Sequence, residues 1–384
     1  MIYADYAATT PVDPRVVNAM MPYFTEVFGN ASSTHRAGLM AQQAVLEARA
    51  SIAADIGARL TELVFTSGAT EAINLAVLGC ARYNSGGRRH IVTAATEHPA
   101  MLDSVRYLEQ HGHAVTFVGV DANGIVNVDE VQQAVTDQTL LVSIMAVNNE
   151  TGVKQDLAVL SALAHHHGAL FMTDATQAWG KMPINVDALG IDLLTFSGHK
   201  LYGPKGTGAL YVRTRKERSC SLEPLQFGGG QERGLRSGTL NVPGIVGLAE
   251  AGRLAHLSMD EEHARIAGLR DSFEAAMVAA CGVVANGCTV DRSATTSNMT
   301  FGEDIDLDIL LMHLPHVAVS KGSACSSAKA KPSHVLTAMG RSPAEAGRSL
   351  RFSFGRFSTD DDVQTLIADL TTAHENARLG VLPA

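Results

Sequence analysis

The stretch IDLLTFSGHKLYGPKG, residues 191–206, passes from an apolar run directly into Ser197, Gly198, His199 and Lys200, then into a turn rich in Gly and Pro. Buried strands usually end in residues that tolerate water, and lysine usually turns its amine outward. Lys200 therefore has two readings: a solvated strand end, or an amine held inside because it does chemistry. The surrounding pattern bears on the choice. From about residue 60 to 215, short β-rich runs alternate with amphipathic helical patterns. The predicted strands are LVFT (63–66), HIVTAAT (90–96), AVTFVGV (114–120), LLVSIMAV (140–147), ALFMTDA (169–175), DLLTFS (192–197) and GALYVR (208–213). Helical patterns such as EAINLAVLGCARY, PAMLDSVRYLEQHG and DLAVLSALAHHHG lie between them. This alternation predicts an α/β fold, with crossover units building a mostly parallel sheet covered by helices on both faces. Ligands on such a sheet bind beyond the carboxyl ends of the strands, where Lys200 stands.

With 384 residues the chain has room for a large domain and a smaller one. Past about residue 255 the pattern changes. MDEEHARIAGLRDSFEAAMVAA reads as a charged helix, followed by short strands near 297–301 and 316–320. The expected division is a large α/β domain over 13–255 and a smaller α+β domain over 1–12 and 256–384. Hydrophobic residues at 46% and charged ones at 18% suit an enzyme-sized globular protein. A net charge of -9 without a long basic run argues against a nucleic-acid surface. MIYADYAATT lacks the basic and apolar regions of a signal peptide, and no apolar run is long enough for a bilayer, so a cytoplasmic, membrane-free protein is expected.

Five cysteines, at 80, 220, 281, 288 and 325, form no CxxC and fit neither zinc nor a disulfide framework. The first four read as buried or incidental thiols. His165–His167 sits late on a helical pattern, where adjacent side chains diverge, and reads as a solvated helix end. No metal site is expected.

Several predicted strand ends carry polar residues that are costly to bury without partners. Ser67-Gly68-Ala69-Thr70-Glu71 is a glycine turn opening a helix, with free backbone N–H groups suited to a phosphate, although Thr70 and Glu71 could equally cap the helix. His98 stands at a strand-to-helix junction, Asn148-Asn149-Glu150 follows LLVSIMAV, and Asp174 ends ALFMTD. Each has a bland reading, but four such sites on one inferred sheet are harder to dismiss. Lys200 adds what they lack: a desolvated amine loses proton affinity and becomes a nucleophile and Schiff-base former. Pyridoxal phosphate needs such a lysine, a carboxylate for its pyridinium nitrogen, a phosphate cup and a group over its ring. Lys200, Asp174, the Ser67–Thr70 turn and His98 match those needs in turn, and Ser197 and His199 can add donors to the phosphate.

With these residues in view, the chain resembles the class V aminotransferase-type cysteine desulfurases. The matching stretches, in order, are ADYAATTPVD, GNASSTHRAG, FTSGATEAINLA, TEHPA, VNNETGVKQD, TDATQAWGK, FSGHKLYGPKGTGALYVR, GGGQERGLRSGTLNV, GSACSSA and RSLRFSFGRFST. They cover nearly the whole chain. GSACSSA is similar to the bacterial branch that supplies sulfur for iron–sulfur clusters. Ala31 stands where the family commonly has proline, and AKAKPSH after the cysteine is more basic than usual.

The resemblance implies a type I pyridoxal-phosphate transferase fold, with a seven-stranded sheet in the large domain, and a Schiff base between pyridoxal 5'-phosphate and Lys200. It implies that Asp174 pairs with the pyridinium nitrogen, Gln177 bonds the phenolic oxygen, and His98 stacks on the ring and assists proton transfers. Ala69, Thr70, Ser197 and His199 would hold the phosphate. Thr239 would reach the phosphate of the neighbouring subunit, implying a homodimer. Asn149 and Arg351 would hold the carboxylate of L-cysteine. Cys325, in a small, polar and basic stretch that reads as an exposed loop, would be the nucleophile that keeps the sulfur as a persulfide for an acceptor protein. An iron–sulfur scaffold is the first expected acceptor, with tRNA or DNA thiolation as alternative destinations. An aminotransferase or β-lyase with an incidental Cys325, and an inactive scaffold relative, are the competing readings.

Overall fold

The computed structural model describes residues 1–84, 86–216, 218–321 and 332–383. Seven strands build its main sheet: β1 (Leu63–Thr66), β2 (His90–Ala94), β3 (Ala114–Val118), β4 (Thr139–Ser143), β5 (Leu170–Asp174), β6 (Leu193–Ser197) and β7 (Gly208–Val212). Their order across the sheet is β1-β7-β6-β5-β4-β2-β3. All pairs from β6 to β3 are parallel, while β7 runs antiparallel to both β6 and β1. Every residue of β6 and β7 is buried, as a sheet covered on both faces requires.

Each strand overlaps a predicted run: β1 coincides with it, β4 begins one residue earlier at Thr139, and the others are trimmed at one or both ends. The largest difference is at LLVSIMAV, where the strand stops at Ser143. Beyond it the amides of Ile144 and Ala146 still donate to the carbonyls of Met172 and Asp174, at 3.2 and 3.0 Å. The chain thus leaves the regular ladder while staying against β5, which carries residues 145–149 to the end of the sheet.

Helix α1 (Arg36–Ile56) packs on one face of the sheet, and α2 (Ala69–Tyr83) with α3 (Pro99–Gln110) on the other. The charged helix expected at 259–280 belongs to a single 40-residue helix, α4 (Val242–Cys281). Asn241 caps its start by accepting from Gly244 N at 3.1 Å. Its first half buries Val242, Ile245 and Leu248 in the sheet's core, and its second half buries Ile266, Phe273 and Met277 in another. The second core lies under an antiparallel sheet of β8 (Val284–Asn286), β9 (Thr296–Thr300) and β10 (Ser349–Ser353), with α5 (Asp360–Arg378) contributing Val363, Leu366 and Leu370. The N-terminus joins this second core, since Ile2–Tyr3 pairs with Val317–Ala318.

His165 departs from its expected solvated position. Its Nε2 lies 2.8 Å from the buried Asp192 carboxylate, and Arg218 also reaches its ring. Tertiary pairing, which helix position alone does not reveal, draws it inward. Cys80, Cys220 and Cys281 are buried and Cys288 is exposed. Among the described residues no helix is long and apolar enough to cross a membrane.

Candidate active site

The carboxyl ends of β1, β2, β4, β5 and β6 open onto one cavity of about 500 Å³. After β1 the chain turns at Ser67-Gly68 and enters α2, so the amides of its first turn, including Ala69 and Thr70, face the cavity without helical partners. Gly68 has φ of +152°, and a Cβ on Gly208 would fall 2.7 Å from Gly68 Cα and 2.5 Å from Phe196 O. Only glycines let the turn sit this close to β7. Glu71 accepts from Ser67 N at 2.7 Å and pairs with Arg236 at 2.8 Å, which stiffens the turn. Ser197 and His199 flank it from the end of β6.

Lys200 lies in the short 3-10 turn after β6 and lines the same cavity. Its Nζ donates to the carbonyls of Ala7 and Ala8 at 2.7 and 2.6 Å. These bonds use two N–H groups of the amine and none of its lone pair. The segment carrying those carbonyls is pinned beside the lysine: Thr10 N donates to His199 O at 2.9 Å, and Thr9 Oγ1 lies 3.1 Å from His199 Nδ1. The lysine is therefore held inward by backbone from the far N-terminus.

Asp174 ends β5, buried, with Oδ1 receiving Thr176 N at 2.9 Å and Thr195 Oγ1 at 3.3 Å. Gln177 donates from Nε2 to Ala7 O at 2.8 Å. His98 caps α3 by accepting Ala100 N at Nδ1, 3.1 Å away, so its neutral ring carries the proton on Nε2. Burial holds the His98 ring below the ordinary imidazole range, against the opposing pull of Asp174 and with help from Lys200. Burial, then the charges of Lys200, Lys205 and Lys181, lowers His199 to about 4. Both rings are therefore neutral near pH 7.

Arg351, on β10, reaches the cavity from the second core, with 1% of its surface exposed. Nη1 donates to Asn149 O at 2.8 Å, and Nη2 donates to Asp5 Oδ1 at 2.9 Å and to Ser320 Oγ at 3.2 Å. Its Nε is buried without a hydrogen-bond partner among the described residues. A guanidinium so placed can receive a carboxylate.

The cavity thus gathers Ala69, Thr70, His98, Asn149, Asp174, Gln177, Ser197, His199, Lys200 and Arg351. Thr239 is exposed on its loop and does not line the cavity of its own chain. Cys325 lies outside the described residues. The sequence reading missed Ala7, Ala8 and Thr9, apolar or small residues whose part is played by backbone or by a distant contact. It also missed Lys205, which lines the cavity, and Asp5, the partner of Arg351. The one signal in the sequence for Asp5, Ala7, Ala8 and Thr9 is the stretch ADYAATTPVD, which is similar to the family.

The donor set fits pyridoxal phosphate. A helix N-terminus, Ser197 and nearby cations suit its phosphate, the Asp174 carboxylate suits a ring nitrogen, and the Lys200 amine suits a carbonyl carbon. Residues 2–366 match the class-V aminotransferase family. The cysteine desulfurase IscS of Neisseria meningitidis serogroup C is 47% identical over 364 residues, 94% of this chain and 89% of that one. The chain belongs to the cysteine desulfurase family. Its cofactor is pyridoxal phosphate, and its fold is that of the class V aminotransferases. A solved NifS-like protein superposes with a TM-score of 0.90 at 33% identity, covering 97% of this chain and 98% of that one. The structure described as SspA in complex with cysteine gives 0.82 at 37% identity, covering 94% and 100%.

Proposed function

We propose that this cysteine desulfurase acts as a homodimer, takes sulfur from L-cysteine, releases L-alanine and stores the sulfur as a persulfide on Cys325. Acceptor proteins then collect it, an iron–sulfur scaffold first among them, from an enzyme divided at residues 12/13 and 255/256 into its two domains. One observation carries the reading. The amine, the carboxylate and the buried arginine converge in one cavity, and the chain on both sides of the Cys325 segment is tied to that cavity. Upstream, Ser320 Oγ accepts from Arg351. Downstream, His334 Nε2 donates to the carbonyl of Glu97, the residue before His98, at 2.9 Å. Cys325 stands five positions beyond Ser320 in the sequence, a stretch that can span at most about 18 Å.

Pyridoxal phosphate, when bound, supplies an electron-withdrawing ring that loosens bonds at the α- and β-carbons of an amino acid. Arg351 and Asn149 orient the substrate carboxylate. Lys200, its amine steered by the Ala7 and Ala8 carbonyls, moves protons at Nζ. His98 offers a donor at Nε2. Lys329 and Lys331, near Cys325 in the sequence, would favour its thiolate, while the amine of Lys321 pairs with Asp308. That thiolate forms a bond to the substrate sulfur as the carbon–sulfur bond breaks; the electron pair stays with carbon, which takes a proton and leaves as alanine.

The test is Cys325→Ser. The variant should retain its cofactor and bind cysteine, yet release almost no sulfide, while the wild type given cysteine without reductant should gain one sulfur atom at Cys325 as alanine appears. Alanine and sulfide at the wild-type rate from the serine variant would replace this mechanism with a β-lyase reading.

A further inference from the structure

Lys181 lies four residues beyond Gln177, and no step described above uses it. Its Nζ donates to Gln177 Oε1 at 2.9 Å. On its other side the Gln177 amide donates from Nε2 to Ala7 O, the carbonyl that also receives Lys200. These two bonds decide which way the amide faces. Turned over, it would set its NH₂ against the lysine donor and its oxygen against the Ala7 carbonyl, losing both bonds and adding two repulsive contacts. The observed orientation uses one N–H on Ala7 and leaves the other for an acceptor in the cavity, which Gln177 lines. Burial, with the charges of Lys200 and Arg351, lowers Lys181 to about 7. Its charged form can only donate and so enforces this orientation; its neutral form can still donate, and the Ala7 carbonyl, which can only accept, then selects the same orientation.

We propose that Lys181 is a positioning residue that locks the Gln177 amide with its N–H, not its oxygen, toward the ring oxygen of the cofactor. The inference rests on the reading that Gln177 bonds that oxygen. Without Lys181 only the Ala7 bond holds the amide, and the donor to the ring oxygen is less firmly fixed. A hydrogen bond of this kind to a charged acceptor corresponds to about a tenfold change in affinity.

The holoenzyme tests it through two readouts besides turnover: the pH midpoint of the cofactor's visible absorption band and the cofactor dissociation constant. Lys181→Met should move the midpoint and weaken cofactor binding about tenfold. Lys181→Arg, which keeps a donor, should restore both, and Gln177→Ala should reproduce the Met variant's change. The double variant should be no worse than either single one, since both remove the same bond. A Met variant with wild-type midpoint and affinity, beside a Gln177→Ala variant that alters both, overturns the role of Lys181 and leaves Gln177 in place. Wild-type behaviour from Gln177→Ala itself overturns the reading on which the inference rests. If the Met variant does not fold, the Arg variant decides: the same loss from Arg as from Gln177→Ala overturns the proposal, and wild-type values support it.

Discussion

The two ends of the cavity are built differently. At the phosphate end, the Ser67–Thr70 turn, Asp174, Ser197 and His199 all belong to one sheet and its immediate connections. Most of their supports are local or from adjacent strands: Gly68 against Gly208, Glu71 on Ser67, and Asp174 opposite Thr195 in register, with Arg236 on Glu71 and Thr9 on His199 as the long-range additions. At the arginine end, Arg351 is held by partners 346, 202 and 31 residues away: Asp5, Asn149 and Ser320. The first end is a by-product of forming the sheet. The second exists only when the sheet's core and the second core have come together. Changes at the first end should therefore act on the cofactor, and changes at the second on the substrate.

The strongest challenge to that division is Asp174→Ala. A carboxylate on the ring nitrogen keeps it protonated, so its loss should lower kcat on the order of 10²- to 10³-fold, with cofactor still bound and the thermal midpoint little changed. Steady-state kinetics on the cofactor-loaded variant, with circular dichroism alongside, gives the answer; near-normal turnover would take Asp174 out of the mechanism.

A matched pair sharpens the comparison. Arg351→Lys keeps the charge but loses the planar fork, and should raise KM for cysteine roughly tenfold or more while leaving cofactor affinity unchanged. Ser197→Ala should do the reverse, weakening the cofactor by about tenfold with KM nearly constant. Equilibrium dialysis of the cofactor and initial rates on both variants would expose a failure of the division if either moved both constants together.

The smallest expected effect is on acid stability. His199 sits near 4 in the folded protein and near the ordinary 6.5 when unfolded. Between those values the unfolded chain binds more protons, so stability is lost as pH falls from about 6.5 toward about 4. Urea midpoints of cofactor-free protein should fall over this range, and His199→Asn should flatten the slope. An equally steep slope in the variant would assign the effect to other groups.

Much of the first end was legible in the sequence. Alternating apolar runs located all seven strands, and Thr70, His98, Asp174, Ser197 and Lys200 were read from their places at strand ends. Strand limits were less legible, because LLVSIMAV keeps donating to β5 past Ser143 after it has left the regular ladder. The α4 helix was read from its charged half only, since its first half is buried on the sheet.

What the sequence determined by itself is the local chemistry: which side chains follow each strand, and hence an amine, a carboxylate and a helix N-terminus on one sheet edge. Periodicity and turn residues act within a few positions, so this much needs no knowledge of packing. Only the tertiary structure decided what those groups touch. Ala7 and Ala8 steer Lys200 through carbonyls that any residue would carry, Lys181 orients Gln177 through one side-chain contact, and Asp5 meets Arg351 across nearly the whole chain. Such contacts depend on how two cores dock, a property of the packed chain that no local pattern encodes.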